Sequence, residues 1–124
     1  MTFEEFEEQV NKTIEELPEE FKKQIDNVDV LVEIWPTEDD LRSILAHPGV
    51  TLFGLYKGVP KTKRGSNYSA VLPDKITIYA GPILSFSKSL EDAKDQIKKT
   101  VLHEIGHYFG MSEKAIRTAQ KDLD

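Results

Sequence analysis

The chain has 124 residues, carries 16 Lys and Arg against 22 Asp and Glu for a formal net charge of −6, and contains no cysteine. That length suits one domain, 1–124, able to bury roughly two thirds of its unfolded surface around a single core. The composition excludes a disulfide framework and a thiolate metal site, and the acidic balance argues against nucleic acid, whose phosphates are bound chiefly by Lys and Arg.

Phe3, Phe6, Val10, Ile14 and Leu17 recur at helical spacing behind Thr2, a residue able to cap the first turn, and glutamates fill the remaining faces. This predicts an amphipathic outer helix with a solvated acidic face. Met1-Thr2-Phe3-Glu4-Glu5 lacks the basic and apolar regions of a signal peptide, and no apolar run reaches the ~20 residues of a membrane span. A cytoplasmic protein without membrane contact is therefore expected. Pro18 breaks the helical pattern and opens a short helix over 19–25 as its first residue. Val28, Val30, Leu31, Val32, Ile34 and Trp35, held between Asp26-Asn27 and Pro36, read as a strand. Alternation puts Val28, Val30, Val32 and Ile34 on its inner face. Thr37 followed by Glu38, Asp39 and Asp40 starts a helix through about Leu45, which His47-Pro48-Gly49 stops.

Residues 51–56 predict a second strand and 75–80 a third, where Ile76, Ile78 and Ala80 alternate with Thr77 and Tyr79. The connection between them carries Lys57, Lys61, Lys63 and Arg64, a basic cluster in an acidic chain. Long connections in compact domains serve as functional flaps or as plain surface loops. As a flap, the loop from Lys57 to Leu72 would meet carboxylates of a substrate, with Tyr68 as a hydrogen-bond donor. Gly81-Pro82 is expected to end the third strand, and Ile83, Leu84 and Phe86 to plug the core ahead of a long helix over 89–109. Ser89 or Ser87 caps that helix, and Glu91 and Asp92 fill its first turn.

The long helix carries the chemistry. At about 100° per residue, Leu90, Ala93, Ile97, Val101 and Tyr108 share an apolar stripe, and Gln96, Thr100, His103 and His107 a polar one beside it. Residues four apart lie one above the other, so His103 and His107 can hold one zinc ion from a single face. Glu104 falls inside the apolar stripe, where an unpaired charge costs roughly several kcal/mol. Beside a zinc-bound water it has both a partner and a task, taking the proton as general base. Gly110 should end the helix in the left-handed conformation. Ser112 then caps a last helix over 112–121, and the reversal carries Glu113 back as a third ligand. Alternatively, Glu113 is a first-turn acid facing the helix dipole. His47 also has two readings, a third ligand or a turn residue near a helix C-terminus.

The spacing from His103 through Gly110 to Glu113 resembles that of metzincins. With Leu17-Pro18-Glu19-Glu20-Phe21, the run from Leu52 to Pro60 and the run from Leu72 to Ile83, the chain more closely resembles the minimal zincin family, small bacterial zincin-like possible metallopeptidases. The resemblance covers most of the chain. It implies His103 and His107 as zinc ligands, Glu104 as base, and an acidic third ligand, usually Asp, where this chain has Glu113. The expected fold class is α+β, a reduced zincin-like fold whose three- to four-stranded mixed sheet packs on the central helix. Two functions follow. One is a Zn2+-dependent metallopeptidase whose peptide or protein substrate pairs with an edge strand. The other is a non-catalytic zinc- or protein-binding module that keeps the site without a productive cleft.

Overall fold

The computed structural model describes residues 1–25, 28–46, 53–58, 74–111, 114, 115 and 118, and for 43–46 the backbone only. Helix α1 (Phe3–Glu15) starts where its first residues cap it. Thr2 Oγ1 accepts from the Glu5 N–H at 3.1 Å, and Glu5 Oε1 accepts from the Thr2 N–H at 3.0 Å, a reciprocal box that satisfies donors at the helix end. The bond from the Thr2 backbone, then that from its side chain, holds the Glu5 carboxyl below its ordinary pKa. Helix α2 (Glu19–Lys22) follows, with Pro18 as its N-cap rather than its first helical residue.

Strands β1 (Val28–Glu33), β2 (Gly54–Lys57) and β3 (Asp74–Tyr79) form a mixed sheet in the order β1-β3-β2. β3 runs parallel to β1, with Val30 opposite Ile76, and antiparallel to β2, with Gly54 opposite Ile78. On one face Ile76 and Ile78 join Phe6 and Val10 of α1 with Ile97, Val101 and Ile105 of the long helix α5 (Leu90–Tyr108) in the main core. On the other, Leu55 and Tyr79 form a smaller cluster. Here helix α3 (Glu38–Ala46), capped by a bond from the Asp40 N–H to Thr37 Oγ1, brings the buried Asp40 against the sheet. The central strand is thus covered on both sides, so Thr77 and Tyr79 are buried like Ile76 and Ile78, with which they alternate.

Three apolar positions depart from the expected core. β1 ends at Glu33, one residue before its alternation would turn Ile34 inward, and Ile34 is 57% exposed. Leu90 is the first residue of α5, a turn ahead of the stripe's contact with the sheet, and is half exposed. Phe86 is 70% exposed because the segment after β3 is helix α4 (Ala80–Phe86), with Phe86 at its outer end on the ring of Phe53. Pro82 does not prevent that helix, since a first-turn residue needs no intrahelical donor. Gly81 supplies the junction. Its N–H donates to Ile34 O at 2.8 Å, and a Cβ there would lie 2.7 Å from the Trp35 ring.

The α3 side of the sheet is tied by a polar knot. Asp40 Oδ1 accepts from Lys57 Nζ at 2.8 Å and Oδ2 from the Tyr79 hydroxyl at 2.8 Å. Burial opposes the Asp40 charge, but the bonds from Lys57, Tyr79 and Thr37 with the Lys57 charge outweigh it, and the carboxyl is held below its ordinary pKa. Burial, and then Asp40, push the Tyr79 phenol far up. A depressed carboxyl stabilises the fold above its unfolded pKa of ~3.9 and loses that contribution as pH falls through the lower folded value. Asp40→Asn is accordingly expected to cost about 1–3 kcal/mol at pH 7, by urea denaturation, and progressively less below about pH 4. A deficit that does not shrink in acid would refute the ionic role.

Candidate functional site

Helix α5 fixes its residues by its two ends. Ser89 Oγ accepts from the Asp92 N–H at 3.1 Å at the start. At the end Gly110 adopts φ 76°, its N–H donates to His107 O at 2.9 Å, and the Met111 N–H donates to Gly106 O at 3.0 Å. This is a Schellman closure, the left-handed stop expected of Gly110. Between the ends, Ala93, Ile97, Val101 and Tyr108 are buried, and Glu104 with them.

His103 and His107 converge. Their Nε2 atoms lie 3.1 Å apart and their rings meet at 78° with centroids 4.7 Å apart. Two nitrogens bound to a tetrahedral zinc at ~2.05 Å would be about 3.3 Å apart, so this pair has the spacing of two ligands on one ion. Both rings are half-buried, and both nitrogens are of the type zinc takes.

Glu104, one residue after His103, points to the sheet instead. It has no exposed surface, and its side chain lies against Gly54 of β2, the edge strand of the sheet among the described residues. A Cβ built on Gly54 would sit 3.1 Å from Glu104 Cγ, 3.3 Å from Glu104 Oε2 and 2.8 Å from Thr100 Cγ2. Thr100 itself turns its hydroxyl to Gln96 O at 2.7 Å, leaving the methyl for this contact. The Glu104 charge also reaches Tyr79, as a smaller cause of that phenol's high pKa than burial, Asp40 and Glu33.

One turn further along, the ring of Tyr108 meets that of Tyr56 edge-on at 6.1 Å, and the Tyr56 hydroxyl donates to Asp74 Oδ2 at 2.7 Å. The bases of β2 and β3 are therefore tied to each other beside the last turn of α5. Lys57, counted in the sequence with the basic loop, is the last residue of β2 and bonds to Asp40. It belongs to the sheet's far side.

The expected site is thus brought together in part. His103, His107 and Glu104 share two turns of α5, with the histidines at the polar edge and the carboxylate inside. Glu113 and His47, the candidate third ligands, lie outside the described residues, as do Tyr68 and the loop beyond Gly58. Among the described residues, no group of three His, Asp or Glu gathers to hold a metal. Lys114, Ala115 and Thr118 are helical, with Thr118 Oγ1 donating to Lys114 O at 2.9 Å. The remainder of the expected last helix is not described. No described helix is long and apolar enough to cross a membrane. Gly54 falls inside the strand predicted over 51–56, where nothing in the sequence tells a glycine facing a carboxylate from any other strand glycine.

A sequence model of zincin-like metallopeptidases matches residues 25–122. Among solved structures, a conserved hypothetical protein from Thermo thermophilus is similar with a TM-score of 0.55 and 27% identity, covering 99% of this chain and 100% of that one. No curated protein matches the chain.

Proposed function

The chain belongs to the zincin-like metallopeptidase family, and from that premise we propose that it is a zinc-dependent hydrolase of peptide bonds. What carries the reading is the convergence of His103 and His107 Nε2 at 3.1 Å next to a fully buried glutamate on the same helix. Bound there, zinc would supply Lewis acidity, lowering the pKa of a coordinated water toward neutrality and polarising a scissile carbonyl. His103 and His107 would hold the ion through Nε2. Glu104 would take the proton at a carboxylate oxygen and pass it to the leaving amine.

The edge strand supplies a place for the substrate. The Tyr79 N–H donates to Phe53 O at 2.9 Å, so Phe53 and Tyr79 form a hydrogen-bonded pair and the next pair, Gly54 with Ile78, does not. In such a pair the N–H and C=O of Gly54 point away from β3. An extended peptide could add to this edge through main-chain bonds, directly beside Glu104.

The test is elemental analysis after zinc reconstitution, expected to give about one zinc per chain, followed by digestion of a broad peptide library with and without chelator. Cleavage that the chelator abolishes supports the hydrolase. Zinc without cleavage would favour the non-catalytic module instead, and neither zinc nor cleavage would end both readings.

In this scheme Glu113 is the third ligand. Glu113→Ala is expected to weaken zinc binding by roughly tenfold or more, with Glu113→Asp retaining much of it, in competition with a chromophoric chelator. An unchanged affinity in Glu113→Ala would make it a first-turn acid and leave His47 as the next candidate.

A further inference from the structure

We infer that Gly54 is a positioning residue for Glu104: by having no side chain it sets how closely the edge strand approaches the helix that carries the base. The inference rests on the proposed hydrolase reading and adds a residue to it. Strand and helix meet at this point almost backbone to side chain. A methyl on Gly54 would fall 2.8 Å from Thr100 Cγ2, several tenths of an ångström inside ordinary contact, and 3.1 and 3.3 Å from Glu104 Cγ and Oε2. Two responses are open to it. The strand moves away from α5, taking with it the outward main-chain groups of Gly54, or the Glu104 carboxylate swings from its place. Either one changes the distance between the base and whatever pairs with the edge.

The alternative is that Gly54 is small only for packing. Its backbone does not settle the matter in favour of packing, because Gly54 is a regular strand residue without positive φ, a conformation open to any residue. The demand for glycine comes from its two neighbours on α5. One of them, Thr100, can be relieved separately. Thr100→Ser removes the methyl nearest the added Cβ and keeps the hydroxyl for Gln96 O. Relief of packing should therefore come from position 100, whereas the effect on the base should remain after that relief.

Gly54→Ala and Gly54→Ala with Thr100→Ser are to be compared with the parent in the full-length zinc-loaded protein. Four quantities are read: melting temperature, zinc affinity, affinity for a peptide hydroxamate, and kcat and KM on any peptide found to be cleaved. The expected result is that Thr100→Ser restores melting temperature. Zinc affinity should stay within about threefold, since neither histidine is touched, while hydroxamate binding and kcat should remain down by roughly tenfold to a hundredfold, the cost of sub-ångström misplacement. Restoration of all four by Thr100→Ser would overturn the inference and leave Gly54 a packing residue, as would a double variant that does not fold. If the parent cleaves nothing, the hydrolase reading fails, but hydroxamate affinity still decides whether Gly54 positions Glu104. A parent and double variant of equal hydroxamate affinity would overturn the inference in that case too.

Discussion

His103→Ala combined with His107→Ala is expected to abolish zinc binding while the fold survives. Apparent binding energies of zinc in protein sites are on the order of 10 kcal/mol, so losing both nitrogen ligands of the proposed site should weaken binding by more than roughly ten-thousandfold. Neither ring belongs to the main core, which is made by Ile97, Val101 and Ile105 on the neighbouring face of α5. Truncation of half-buried side chains outside a core costs about 1 kcal/mol or less, well short of unfolding a domain of this size. The separation of these magnitudes makes the experiment decisive. Circular dichroism should be unchanged, elemental analysis should find no metal, and each single variant should retain only weak binding. Full zinc occupancy in the folded double variant would move the metal away from α5 altogether.

The reason these two residues were legible in the sequence is local. A helix places positions four apart on one face whatever surrounds it, so the pairing of His103 with His107 needed only the phase of α5, and that phase was marked by Ala93, Ile97 and Val101. The caps are local too, and Thr2, Thr37, Ser89 and Gly110 each stand where the helix ends require them. What escaped was set by pairing across the sheet. Tyr79 reads as the outward residue of an alternating strand, and only a central position between β1 and β2, with Asp40 of α3 opposite, buries it. Helix α4 was hidden by Gly81-Pro82, a dipeptide that signals a turn unless it happens to occupy the first turn of a helix. Gly54 needed both kinds of information, the register of β2 on β3 and the height of Glu104 along α5.

Glu104→Gln is expected to keep the zinc and lose hydrolysis by roughly a hundredfold to ten-thousandfold, the range attributed to one positioned acid or base. The amide is nearly isosteric, so the contact with Gly54, tight at 3.1 Å from the virtual Cβ to Cγ, is preserved. Its oxygen cannot take up a proton at neutral pH. Zinc affinity should stay close to the parent value because the nitrogens of the proposed site come from His103 and His107, while Glu104 turns toward the sheet. Stability supplies an independent reading. The amide keeps the volume of a side chain with no exposed surface, so the melting temperature is expected to respond far less than turnover. A carboxylate kept for a buried ion pair or hydrogen bond would behave in the opposite way, losing stability and leaving turnover intact. Release of zinc by Glu104→Gln would instead make Glu104 a ligand, and the assignment of the base would have to pass to another group.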